Sequence, residues 1–163
     1  MRHAAAAGIV LLGMLCGAAR ATGAAGAGEA DNVRTAGRYF AAMQAGRFDA
    51  PAALFAPDFV AHGVSISYGL EQELAATVSW HAAMPDLKVT VERTVAAGDM
   101  VAVHWQASGT NTVAAGGMPG KGGRVGLEGM TFFRFAGGRI AEEWSVVDVA
   151  SLRRLFGHPP EGP

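Results

Sequence analysis

The sequence predicts an α+β domain in which three helices cover one side of a curved antiparallel sheet, and three observations lead there. First, 163 residues with 50% hydrophobic and 17% charged side chains make one domain with enough apolar material for a core. Second, the hydrophobic spacing changes after Pro85 from a period near 3.6 to a period of 2. Third, the helical segments precede four long strands, without the strand–helix alternation that builds parallel sheets. A net charge of −1 excludes nucleic-acid binding by a basic surface, and the high apolar content excludes a disordered polyelectrolyte.

Residues 1–21 stand apart. Met1-Arg2-His3, an apolar run from Ala4 to Ala19, and Ala19-Arg20-Ala21 form the basic start, apolar middle and small-residue site of a secretory signal peptide, with cleavage expected after Ala21. The run of about 16 residues is shorter than the roughly 20 that cross a bilayer, a retained anchor being the competing reading. Bulky Leu15 before Cys16 argues against a lipoprotein site. Removing 21 residues from 163 leaves 142, with 11 basic and 14 acidic side chains and no cysteine, so disulfides and thiol catalysis are excluded. The expected location is secreted or periplasmic.

Residues 22–28, rich in Ala and Gly, read as a flexible lead-in; the domain is expected over residues 29–157, with a tail at 158–163. Val33, Ala36, Tyr39, Phe40 and Met43 fall at helical spacing, and Gly46 stops that helix. Asp49 reads as the N-cap of a short helix that has Pro51 in its first turn, runs through Leu54 and Phe55, and ends near Pro57. A short strand over residues 59–62, a loop over 63–69 and a third helix over 70–84 follow. Leu87, Val89 and Val91, then Val101, Val103 and Trp105, alternate as strands about a Gly98-Asp99 turn. A glycine-rich stretch over residues 113–123 reads as a mobile connection, and strands over 125–135 and 139–147 precede a short terminal helix over 149–156.

A sheet with helices on one side leaves an apolar hollow where it curls away, the usual place for a small molecule. Other chemistries find little support. Gly116-Gly117-Met118-Pro119-Gly120-Lys121-Gly122 lacks the first glycine of a phosphate loop, where Ala115 stands, and the hydroxyl residue after its lysine, where Gly122 stands. His62, His81, His104 and His158 are scattered without metal-ligand spacing, and no Gly-x-Ser-x-Gly elbow occurs. Neither a metal nor a cofactor is expected.

One constellation remains near the C-terminus: Phe133-Arg134-Phe135, Gly138-Arg139-Ile140, Glu142-Glu143-Trp144, and Asp148 four residues after the tryptophan. With Pro85-Asp86-Leu87, Gly98-Asp99-Met100-Val101 and Gly109-Thr110-Asn111-Thr112, it resembles the SnoaL-like polyketide cyclase and ester cyclase family of the nuclear transport factor 2-like superfamily, over residues 33–156. The resemblance implies a cone-shaped α+β barrel with an apolar closed end and polar groups at its mouth. In the cyclases an Asp on the last strand and a His on the strand before it move protons during an intramolecular aldol closure, without metal or cofactor. Here the His position falls on Thr131 and the Asp position on Ser145. Neither titrates near neutral pH, so the usual pair is missing from its place.

Which carboxyl replaces it depends on the register of the last hairpin, because a one-residue slip exchanges the faces of a strand. A two-residue turn at Gly137-Gly138 sets Trp144 opposite Thr131; a three-residue turn, Ala136-Gly137-Gly138, with Gly138 left-handed and a bulge, sets Glu143 there. The bulged turn is favoured, because a glycine at the third loop position is its signature. Glu143, Ser145 and Val147 then share a face with Thr131, Phe133 and Phe135, and the aromatics raise the Glu143 carboxyl towards a general base's range. The other reading leaves Glu142 and Glu143 as two exposed carboxylates. Asp148 reads either as the N-cap of the last helix or as a catalytic group. His62 reads as a partner at the cavity mouth or as a surface histidine. Tyr39 and Trp80 line the cavity or fill the core, and Trp105 reads as sheet packing.

The expected protein is a cofactor-independent cyclase, isomerase or lyase acting on a small carbonyl compound. Glu143, Asp148 and His62 are its candidate catalytic residues; Thr131, Phe133, Ser145, Tyr39 and Trp80 are its candidate binding residues. The rival readings are a non-catalytic binding protein of the same fold and a dimerisation module. The expected partners are a small apolar organic ligand and a second copy in a homodimer, with no nucleic acid and no membrane after cleavage.

Overall fold

The computed structural model describes residues 22–63 and 66–157. The signal peptide and the tail expected over residues 1–21 and 158–163 lie outside the described residues. Helix α1 spans Thr22–Ala45. The flexible lead-in expected over residues 22–28 is therefore part of the helix. Its buried stripe, Ala36, Tyr39 and Phe40 with Val33 and Met43 packed alongside, is the predicted one. Gly46 ends it at φ 71°, where a Cβ would run into the His81 ring at 2.4 Å.

Helix α2 is a single turn, Pro51–Leu54, that begins at proline as expected. Asp49 does not cap it. Ala50 holds the cap position without a side-chain bond, and the Asp49 carboxylate pairs with Arg47 at 2.7 Å instead. Strand β1 (Phe55–His62) starts four residues earlier than predicted and contains Pro57. The proline is tolerated because the pairing of β1 with its neighbour breaks between Phe55 and Val60, so its missing N–H leaves no gap in the ladder. Strand β2 (Ser67–Tyr68) and helix α3 (Leu70–Ala83) follow.

Strands β3 (Lys88–Ala97) and β4 (Met100–Asn111) form the predicted hairpin about Gly98. The glycine-rich stretch folds into a two-stranded ribbon, β5 (Ala114–Ala115) and β6 (Met118–Pro119), in place of the mobile connection expected. Asn111 secures it by donating to the carbonyls of Ala83 and Val113 and accepting from the Gly120 N–H at 2.7 Å. Strands β7 (Gly123–Ala136) and β8 (Arg139–Val147) and helix α4 (Val149–Leu155) complete the chain.

The main sheet has the order β2-β1-β8-β7-β4-β3. Every pair is antiparallel but one: β1 runs parallel to β8, which corrects the all-antiparallel expectation. Consecutive-strand reasoning pairs β7 with β8 but has no way to bring β1 round to the far side of β8. The sheet is open, edged by β2 and β3, and curved; among the described residues it does not close into a barrel. Helix α1 packs on β3, β4 and β8, and α3 on β1, so the helices cover the inner face only. Met130, Phe132 and Val146 of the outer face remain exposed.

Candidate active site

The β7–β8 hairpin decides which side chains face the helices. Its turn is the two-residue one, Gly137 and Gly138 both at positive φ, with Ala136 opposite Arg139. The three-residue turn is therefore corrected. A bulge at Ala141 then supplies the extra residue: Phe135 faces Ile140, but Arg134 faces Glu142. Beyond it Glu143 lies opposite Phe133, Trp144 opposite Phe132 and Ser145 opposite Thr131. Glu143 thus reaches the predicted face by a different route, with Ser145 taking the place across from Thr131.

Three rows cross the inner face side by side, Val101–Phe133–Glu143, Val103–Thr131–Ser145 and Trp105–Gly129–Val147. Between them and helices α1 and α3 lies a hollow of about 170 Å³. Polar groups collect at the Glu143 and Ser145 rows, while Val147, Ala107, Val89 and Leu87 line the rest.

Glu143 is 4% exposed. Its Oε1 accepts from Ser145 Oγ at 2.7 Å and from the Tyr39 hydroxyl at 3.4 Å; its Oε2 is buried with no partner. Behind Ser145 runs a relay of fixed direction. Trp105 Nε1, which can only donate, bonds Thr131 Oγ1 at 3.0 Å, and Thr131 lies 2.8 Å from Ser145 Oγ. Because Ser145 spends its single hydrogen on Glu143, the Thr131 hydrogen points to Ser145. The Thr131 and Ser145 hydroxyls therefore hold a carboxyl in place.

Facing Glu143 from α3 is Glu73, also buried, whose Oε1 accepts from Tyr39 at 2.6 Å; the Tyr68 phenol lines the same hollow. Burial and the Glu73 charge push the Glu143 carboxyl up to about 8, against the pull of the Ser145 and Tyr39 hydroxyls. Burial also raises Glu73, and the hydroxyls of Tyr39 and Tyr68 oppose it. Both phenols are themselves raised, first by burial and then by the two carboxyls.

Of the predicted binding residues, Tyr39, Trp80, Thr131 and Ser145 line the hollow. Phe133 does not: fully buried beneath it, the ring packs edge-on to Tyr39 with centroids 5.0 Å apart. Two predicted catalytic residues lie elsewhere. His62 sits on the outer face, bonded to Glu142 at 2.7 Å and stacked on Trp144 with centroids 4.6 Å apart, because β1 aligns it with Trp144 rather than with Glu143. Asp148 caps α4, accepting from the N–H groups of Ala150 and Ser151; the Ser151 hydroxyl first, and then these N–H groups, hold its carboxyl below the usual range. Hydrogen bonds from Arg134 and His62 likewise lower Glu142 on the outer face.

Sequence reasoning missed Glu73, Tyr68 and the cavity role of Trp105. For Glu73 a signal was present: with Thr77 and Trp80 it forms an i, i+4, i+7 stripe, so a carboxylate lies on the packed face of α3. No group of three or more His, Cys, Asp or Glu among the described residues is placed to hold a metal ion.

Comparison with known proteins accords with this architecture. AclR from Streptomyces galilaeus superposes with a TM-score of 0.73 at 22% identity, over 83% of this chain and 86% of its own. A SnoaL-like protein from Jannaschia sp. CCS1 gives 0.71 at 26% identity, over 81% and 95%. IdmH from Streptomyces antibioticus gives 0.65 at 26%, over 77% and 98%. No curated protein sequence matches significantly. The profile of SnoaL-like polyketide cyclases matches residues 33–155, and on that match the chain belongs to the SnoaL-like polyketide cyclase family, with the nuclear transport factor 2-like fold.

Proposed function

We propose that this chain is a cofactor-independent acid/base enzyme of the cyclase, isomerase or lyase type. It acts on a small carbonyl-containing molecule held in the hollow, and Glu143 exchanges a proton with it. One observation carries the reading: a mainly apolar cavity buries a carboxyl whose Oε2 has no protein partner. A buried polar atom without a hydrogen bond is costly, and ligand chemistry is a common reason for keeping one.

The test needs no natural substrate. Cyclohex-2-enone in heavy water reports proton transfer through deuterium exchange at the saturated carbon beside its carbonyl, read by NMR. General acid/base catalysis is worth about 10²–10⁴, so Glu143→Gln should lose that factor in catalysed exchange. Glu142→Gln, on the outer face, should leave the rate unchanged. Equal rates in wild type and Glu143→Gln overturn the reading.

Export after residue 21 belongs to the same proposal. Its support is the basic, apolar and small-residue order of residues 1–21 and the absence of cysteine from the remainder. The mass of protein recovered from its native host should correspond to a start at Thr22; a start at Met1 overturns it.

A further inference from the structure

We propose that Glu73 is the base and Glu143 the acid of a two-carboxyl pair that holds one proton, with the Tyr39 hydroxyl as the bridge between them. The assignment rests on the cavity being an acid/base site and adds to it a second catalytic group and a division of roles.

The geometry assigns the roles. Both carboxyls line the hollow, and neither has a cation beside it: among the described residues lining the hollow there is no Lys, Arg or His. Two buried carboxylates on one hydroxyl cannot both ionise cheaply, so one keeps its proton. Glu73 accepts a short hydrogen bond from Tyr39 on α1 at 2.6 Å, Tyr68 of β2 lines the hollow with it, and both phenols favour the ion. Glu143 has one short donor, Ser145, on Oε1, and its bond from Tyr39 is long. Its proton therefore sits on Oε2, the oxygen left for a ligand. The titratable side chains facing the pair are Tyr39 and Tyr68, while β4 and β7 contribute Trp105 and Thr131, which do not titrate in this range.

The chemistry then balances without an outside reagent. The Glu73 carboxylate takes a proton from the carbon beside the ligand's carbonyl. That C–H bond breaks, and its electron pair becomes the C=C of an enol as Glu143 gives its Oε2 proton to the carbonyl oxygen. Glu73 is now the acid and Glu143 the carboxylate. When the enol carbon attacks a second carbonyl of the same molecule, a C–C bond forms. The new alkoxide takes the Glu73 proton, and the enol O–H returns its proton to Glu143. If Glu73 instead protonates the enol at another carbon of a conjugated system, while the enol O–H returns its proton to Glu143 and the carbonyl re-forms, the product is an isomer. Either route restores the starting pair, and Tyr39 can reset it by passing its own proton to one carboxyl while taking one from the other.

The ligand class follows from the assignment. An acid on Oε2 calls for a hydrogen-bond acceptor, so the group opposite Glu143 is an uncharged carbonyl oxygen and not an ammonium, despite the aromatic rings around it.

Glutamate labelled with 13C at the side-chain carboxyl reports the pair by NMR titration, with no substrate present. In the wild type one carboxyl should titrate near 8 and vanish in Glu143→Gln. In Glu73→Gln, where the facing charge is gone, the Glu143 titration should move down. Tyr68→Phe, at a half-buried position, should move it down too, because a less well solvated Glu73 anion shares the proton more evenly. A Glu143 resonance that titrates with the surface glutamates, or one unmoved by both Glu73→Gln and Tyr68→Phe, overturns the pairing even if Glu143 proves catalytic. Coupled titration with no effect of Glu73→Gln on cyclohexenone exchange overturns the role of Glu73 as base. Tighter binding of cyclohexylammonium than of cyclohex-2-enone at neutral pH overturns the ligand class.

Discussion

Glu143 and Glu142 are the same residue type at adjacent positions, and their surroundings send them in opposite directions. Arg134 and His62 clamp Glu142 on the outer face and hold it ionised; on the inner face burial and Glu73 hold Glu143 protonated. The difference arises from one backbone irregularity and the strand period of two. The Thr131 and Ser145 hydroxyls serve as the carboxyl's support. That support has a measurable sign. Ser145 donates to Glu143 Oε1, and a donor favours the ion, so Ser145→Ala should raise the Glu143 titration above about 8. A carboxyl titration that stays put or falls in Ser145→Ala shows that the hydroxyl does not stabilise the anion.

At the level of elements, the parts set by local periodicity were legible and the parts set by distant pairing were not. The α1 stripe and the alternation of Val101, Val103 and Trp105 identify their elements and faces from neighbours within a few residues. The parallel placement of β1 against β8 joins chain segments about 80 residues apart, for which one sequence offers no local signal. Glu73 lay between these cases: its helix was identified, but which face packed inward depended on the sheet. Gly129 illustrates the same dependence. It sits in mid-strand, where glycine weakens a sheet, because a Cβ there would lie 2.4 Å from the Trp105 ring and 2.8 Å from the Val146 carbonyl. The glycine thus seats the indole whose N–H begins the relay to Glu143. Gly129→Ala should cost about 1–3 kcal/mol of stability through overpacking. It should also move the Glu143 titration, through displacement of Trp105. Denaturant unfolding and carboxyl NMR check the two parts, and an unchanged titration would mean that the relay does not depend on that seat.

For the whole molecule, burying a carboxyl pair under a helix layer trades stability for chemistry, and the trade shows in how stability varies with pH. The Glu143 carboxyl titrates at 4.5 in the unfolded chain and at about 8 when folded. Between those values the folded state binds more protons than the unfolded one, so stability falls as pH rises through that window. Below 4.5 both states hold the proton, and the residue contributes no slope. Each unit of separation is worth about 1.4 kcal/mol, so the loss accumulated by pH 8 is on the order of a few kcal/mol. Glu73 slopes the same way, whereas Asp148 and Glu142, lowered in the fold, act only at more acid pH. Glu143→Gln keeps an acceptor for Ser145 and removes the titrating group. Its unfolding free energy should match that of the wild type near pH 4.5, exceed it increasingly towards pH 8, and level off above. The comparison subtracts every titrating group except Glu73, whose ionisation is tied to that of Glu143, so two denaturation series across that range report the pair. Parallel curves would mean that Glu143 is ionised in the folded protein at neutral pH, and the acid of the proposed pair would have to be another group.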